Sequence, residues 1–220
     1  MSGEVAARGA EAGFPRSRGR PSEGAREALV GAARELFTEH DFHAVGTAQV
    51  LARAGVSRGA MYHHFPSKTD LFRAAWETSE RDLLARFTER STGGGSPFES
   101  LVSGCRAYLV ECATSRELQR IGLRQSRAVL GWEQWSEAVA ALGLGVMKAG
   151  VGAAVESGEL RTNDVDATAR ILLSALIEAG LLIATARDPR ARLREIEPEA
   201  MRFVLGLGVA AVDSAGGGDG

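Results

Sequence analysis

At 220 residues, with 45% apolar and 25% charged side chains, the chain is long enough to bury a real core and slightly too long for one compact domain of average size. A small domain followed by a larger one is expected. The formal net charge of −2, taken globally, argues against a nucleic-acid partner, because phosphate binding needs an excess of Lys and Arg. The distribution reverses that exclusion: residues 16–75 hold nine Lys or Arg against six acids, so the acidic surplus lies elsewhere, mostly after residue 76.

In chain order, residues 1–21 mix Gly, Ala, Ser, Pro and charge without periodicity, which reads as a mobile basic arm and holds no apolar segment of a secretory signal. From Ala25 the apolar residues Leu29, Ala32, Ala33, Leu36 and Phe37 recur at helical spacing, with Ser22 as the expected N-cap. Thr47 is expected to cap a short helix carrying Val50, Leu51 and Ala54, which Gly55 stops. Ser57 starts a third, very short helix ending near Phe65, where Pro66 prevents continuation. Ser67 with Asp70 makes a capping-box-like start for a long fourth helix to about Arg90. Residues 22–90 thus form one unit, and the Gly-rich loop 91–97 separates it from a second, 97–212.

That second unit is helical wherever it is periodic: Phe98–Cys112, a short piece around Leu118–Leu123, Trp135–Ser157, Asp164–Ala186 and Arg190 to about Val212, followed by a disordered tail over 213–220. No alternating strand pattern occurs, so the fold class is all-α. Cys105 and Cys112 lie two helical turns apart, roughly 10.5 Å at the usual rise, against a bridging limit of about 7 Å between Cα atoms. They are expected to be reduced, buried thiols. No run reaches about 18 uninterrupted apolar residues; the nearest, Ile171–Ala186, contains Glu178. No membrane span is expected, and the cytoplasm is the expected compartment.

Two short helices joined by a glycine-containing turn need a third to cover their shared apolar face, which is the helix-turn-helix arrangement. On the second of them Met61 and Phe65 point inward, leaving Arg58, Gly59, Ala60, Tyr62 and His63 outward. Small residues at 59 and 60 let the helix approach base edges closely, and Arg58 can offer a bidentate fork to guanine. The run AGVSRGAMYHHFPSKTDLF, Ala54–Phe72, resembles the helix-turn-helix of the tetracycline-repressor-like (TetR/AcrR) family of transcriptional regulators. The resemblance extends in detail from Ala25 to Trp76, through Phe37, Phe42, Thr47, Ala52, Gly55, Val56, Tyr62, Phe65, Lys68 and Leu71. It implies phosphate contacts from Thr47, Tyr62, His63 and Lys68, and base-edge contacts from Arg58, Gly59 and Ala60. Ala48 stands where several relatives place a long polar residue, so base reading by the preceding helix falls to Gln49 or is absent.

His63 and His64 invite a metal, but adjacent helical residues point about 100° apart and no further ligand sits at suitable spacing, so neither a metal nor a cofactor is expected. Arg18-Gly19-Arg20-Pro21 resembles the minor-groove core of AT-hooks, and either adds a minor-groove contact or is a soluble tail. In the second unit the aromatic and soft residues cluster. Cys105, Tyr108, Trp132, Trp135 and Met147 are the candidate lining of a small-molecule cavity, for which a neutral or hydrophobic effector is expected. The helices over about 164–186 and 190–212 carry small residues (Ala175, Ala179, Gly180, Gly206, Gly208) and more apolar surface than one small domain hides, which suggests a homodimer. The resembling family uses similar helices in a four-helix interface. A two-fold dimer places its recognition helices roughly 34 Å or more apart, so operator DNA with an inverted repeat is the expected partner.

An enzyme is disfavoured: no Ser/His/Asp or Cys/His constellation and no phosphate-cradling glycine loop is present. A non-specific architectural DNA-binding protein is disfavoured by the modest local charge. A repressor released by a hydrophobic effector is the expected behaviour, with an activator or an effector-independent DNA-binding protein as the alternatives.

Overall fold

The structure is a computed structural model that describes residues 21–90 and 95–209. Arg18, Gly19 and Arg20, the rest of the basic arm and the expected tail lie outside the described residues. Helix α1 (Pro21–Glu39) is followed by a single 3₁₀ turn (Phe42–Ala44), α2 (Thr47–Ala54), α3 (Arg58–His64) and the long α4 (Lys68–Arg90). Then come α5 (Pro97–Thr114), a π-helical stretch (Leu118–Gln125) running directly into α6 (Ser126–Val139), a second π turn (Ala140–Leu144), α7 (Gly145–Glu156), α8 (Val165–Ala184) and α9 (Pro189–Leu205). Among the described residues the only extended pairing is an isolated bridge between Leu160 and Gly208.

Several helix ends follow the expected chemistry. Ser57 Oγ accepts from Ala60 N at 3.2 Å, and Ser67 Oγ accepts from Asp70 N at 3.1 Å while donating to the Asp70 carboxylate at 2.7 Å. Gly55 takes the left-handed conformation at φ 65° that ends α2. Two caps differ. Helix α1 is already helical at Pro21, the first described residue, so the expected Ser22 cap falls within the helix. Helix α2 is capped by Gly46, with Thr47 already helical, and the Gln49 side chain reaches back to accept the Gly46 N–H at 2.7 Å.

The stretch expected as one helix over 135–157 is interrupted by one π turn, and the segment before it is kinked. Gly131 sits at φ 76° and ψ 167° inside α6, and the π turn at 140–144 separates α6 from α7. Helix α9 ends at Leu205, short of the expected 212, and the chain turns so that Val209 N donates to Glu159 O at 2.8 Å. By length and composition alone two helical stretches, 118–156 and 165–184, are apolar enough to cross a membrane, although both carry charged residues. The first is interrupted by the kink and π turn, and the second buries Leu172, Leu176, Ala179, Gly180 and Ile183 in the helical core.

Two apolar clusters organise these elements. One packs α1 to α4 around the fully buried Phe37, Phe72 and Trp76, with Phe37 and Phe72 edge to face at 5.1 Å. The other gathers α5, α7, α8 and α9 around Leu109, Cys112, Val151, Leu172 and Ile183. Gly180 belongs to this second packing: a Cβ there would lie 2.8 Å from Cys112 Sγ and 3.0 Å from Tyr108 Oη, so its smallness lets α8 approach α5. Gly208 likewise faces Phe98 within the chain. The small residues expected at a partner surface are therefore partly spent inside the protomer.

The π stretch ties the two clusters together. Ile121 is buried in the first and Leu118 in the second. Gln125 donates from Nε2 to Phe37 O at 3.0 Å and accepts at Oε1 from Phe42 N at 2.7 Å, closing the end of α1 onto the turn that leads into α2. Beside it Arg34 of α1 donates bidentately to Glu117 at 2.6 and 3.2 Å and to Asp82 of α4 at 2.7 Å, and Arg120 pairs with Asp41 at 3.0 Å. Gln125→Leu should therefore cost about 1–3 kcal/mol in a urea melt, the usual penalty for stranding buried backbone groups. An unchanged melt would show that water replaces the amide without loss.

Candidate DNA-binding face and ligand cavity

Helix α3 turns Met61, fully buried, and Phe65 into the core. That leaves Arg58, Gly59, Tyr62 and His63 exposed on its outer face, with Ala60 half-buried. No hydrogen bond ties the Arg58 guanidinium or the Tyr62 hydroxyl to another described residue, so both are available to an incoming surface. On α2, Gln49 is exposed and keeps its amide NH2 after spending its carbonyl oxygen on Gly46, while Thr47 is half-buried at the helix start. Among the described residues no group of three His, Cys, Asp or Glu could hold a metal; the His63 and His64 rings meet at 5.2 Å, and His64 packs toward Phe65.

The Lys68 ammonium is partly engaged within the protein. Its ammonium donates to Phe42 O at 2.8 Å and Val45 O at 2.9 Å and lies 4.1 Å from the Phe42 ring centroid, which gives it a cation–π contact. Partial burial lowers its pKa. Two of its three N–H groups are thus spent on the turn before α2.

Between the helices of the second cluster and α4 lies a cavity of about 540 Å³. Cys105, Tyr108, Trp135 and Met147 line it, as expected from sequence. Trp132 does not. It is 63% exposed on the outer surface, because the break at Gly131 turns it away; there it packs at 5.5 Å from Trp135 with the Arg127 guanidinium 4.8 Å from its ring centroid. Sequence reasoning missed the α4 wall. Trp76, Leu83, Phe87 and Glu80 face the cavity, and Glu80 reads in sequence as one more surface charge on a long helix. Its apolar neighbours at i−4 and i+3, Trp76 and Leu83, were the available signal.

Several polar groups in and beside the cavity are held neutral or nearly so. Burial pushes the Cys105 and Cys112 thiols up to about 12, and the Tyr108 phenol, buried beside Cys112, well above its ordinary value. Both cysteines are free. Glu80 is an acid in an apolar wall. Burial raises its pKa to about 7 despite the hydrogen bond it accepts from Trp76 Nε1 at 2.9 Å, and the nearby Glu117 charge adds to the rise.

The comparisons agree with this geometry. Residues 29–75 match the model of the bacterial regulatory proteins of the tetR family, and residues 98–207 match the tetracyclin repressor-like C-terminal domain. The Tn10 TetC protein of Escherichia coli is 26% identical over 148 residues, covering 66% of this chain and 73% of that protein. A TetR-family transcriptional regulator from Pectobacterium atrosepticum superposes with a TM-score of 0.77 at 30% identity, over 88% of this chain and 99% of that one. RolR, solved with resorcinol, shares the fold at 19% identity with a TM-score of 0.65, over 85% and 96% of the two chains. Fold and site together define a helix-turn-helix regulator with a separate ligand-binding unit. The chain belongs to the TetR family of DNA-binding transcriptional regulators.

Two expectations follow. Lys68→Met should lower stability by about 1–3 kcal/mol, since it strands two carbonyls; a lysine that served only phosphate would leave the urea midpoint unmoved. Glu80 has a raised folded pKa, so its contribution to stability is full below about 4.5 and is lost as pH rises through about 7. Glu80→Gln should melt progressively higher than the parent across that window and in parallel with it above. A difference independent of pH would remove the buried-acid assignment.

Proposed function

We propose that this protein is a homodimeric repressor that acts in the cytoplasm, binds an inverted-repeat operator, and is released when a small, largely hydrophobic effector fills the cavity. The observation that carries the reading is the π stretch at 118–125, which faces the cavity through Gly122 and Leu123 and holds the helix-turn-helix through Gln125. A ligand that changes the cavity wall acts on the position of α2 and α3 through that stretch, with α4 as a second lever carrying Trp76 and Glu80. Release is then a population shift between recognition-helix spacings, which requires differential ligand affinity for the two.

On DNA, Arg58, Gly59 and Ala60 read base edges in the major groove, with Gln49 as the reader from α2, and Thr47, Tyr62 and His63 contact phosphates. Lys68 acts at one remove by fixing the turn that presents Thr47. Dimerisation falls to α8 and α9, whose outward side chains Ile171, Leu182, Phe203 and Leu205 are 60, 42, 46 and 51% exposed in the protomer.

The test is selection of binding sites from random duplex DNA, followed by titration at several salt concentrations. An enriched inverted repeat is expected, with Arg58→Ala losing about 1–3 kcal/mol of base discrimination and Tyr62→Phe weakening all sequences alike. Enrichment of a single half-site, or of nothing, would overturn the dimeric operator reading.

A further inference from the structure

Glu80 stands out in a cavity built mostly of aromatic, aliphatic and neutral polar groups, where Arg127 and Glu178 are the other charged residues among the described lining. Its carboxylate accepts one hydrogen bond, from Trp76 Nε1 to Oε1 at 2.9 Å, and that indole is its one hydrogen-bonding partner among the described residues. The accessible surface it keeps is cavity surface, since the residue lines the void and is shielded from bulk solvent. Space is reserved for the group on its far side: a Cβ at Gly122 would sit 2.9 Å from Glu80 Oε1.

The charges around it do not neutralise it. On α5 the Tyr108 phenol and Cys112 thiol are neutral, and Glu117 at the start of the π stretch is acidic and already held by Arg34. The cavity lining has one cation, Arg127, whose guanidinium lies over the Trp132 and Trp135 rings, while Glu178 adds a second acid. A buried carboxylate without a cation is costly unless something supplies one.

We propose that the carboxylate of Glu80 is the anchor for a basic nitrogen, so that the cavity takes a small organic cation whose N–H donates to Glu80 while its apolar body lies against Trp76, Phe87, Tyr108 and Trp135. The proposal rests on the cavity being the effector site and narrows the hydrophobic effector expected from sequence to an apolar skeleton with one ammonium group. Aromatic walls suit such a ligand twice, through apolar contact and through cation–π attraction. Glu80 selects against carboxylic acids by charge repulsion and against neutral isosteres by remaining unpaired.

The test uses matched probes on the full chain: phenylbutylamine against phenylbutanol and phenylbutyrate, and naphthylethylamine against naphthylethanol, with binding read by calorimetry and by the emission of Trp76 and Trp135. The amines should bind roughly tenfold tighter than their alcohols, as expected of a charge-assisted over a neutral hydrogen bond. The acids should not bind. The preference should grow as pH rises from about 4.5 through about 7, where Glu80 ionises. Glu80→Gln should abolish the preference while still binding the alcohols, and Glu80→Asp, which keeps the charge, should retain it at lower affinity. Alcohols binding as well as amines, a preference that survives Glu80→Gln, or no binding by any amine would each overturn the proposal. Operator binding measured in parallel separates the two readings. Alcohols that release DNA where amines do not would sink the cation anchor and leave the repressor standing. Amines that bind through Glu80 without affecting DNA would leave the anchor and sink effector-controlled release.

Discussion

The arrangement depends on one side chain meeting two backbone groups. Phe37 O at the end of α1 and Phe42 N at the following turn are left without helical partners where the chain changes direction, and Gln125 supplies both an N–H and a C=O to them. An amide is suited to this because it carries donor and acceptor on one planar group, so the two backbone ends are held in fixed relative position. The turn so held is the one Lys68 grips from the other side, at Phe42 O and Val45 O. Helix α2, and with it the recognition helix, is thereby placed by residues from α4 and from the cavity wall.

The cavity imposes the opposite demand. A core that filled itself would be more stable, yet here the helices keep about 540 Å³ open. The wall achieves this with irregular helix. The π stretch and the π turn at 140–144 both face the void, and the break at Gly131 redirects α6 between them. Wide helical turns of this kind are rare and concentrate at functional sites, because their backbone bonding is poorer than that of a regular helix. The irregular segments and Glu80 both trade protomer stability for a space that a guest can fill.

The sequence made the DNA-binding half legible. Periodicity, Ser57, Ser67 and Gly55 are local signals, and each operates within a few residues of where it is read. Thr47 failed as a cap because its neighbours, Gly46 with Gln49, satisfied the same helix end more directly. The internal partners of Lys68 lie 26 and 23 residues away, beyond any local pattern. In the larger unit the lining residues on α5, α6 and α7 share an aromatic and soft chemistry that the sequence displays, whereas Trp132 was lost to a single glycine φ angle and Glu80 was not singled out at all. Both misses concern direction, which depends on tertiary packing.

The neutrality of the two thiols has a practical side. Cys105 and Cys112 are the chain's two cysteines, and burial holds both far from the thiolate form that reacts with alkylating reagents. A single substitution on the outer face of α3, such as His63→Cys, would therefore create one reactive position per chain without stripping the native cysteines from the helical core. In the proposed dimer, spin labels or fluorophores attached there would report the separation of two recognition helices directly, and the same sample could be followed as the cavity is filled.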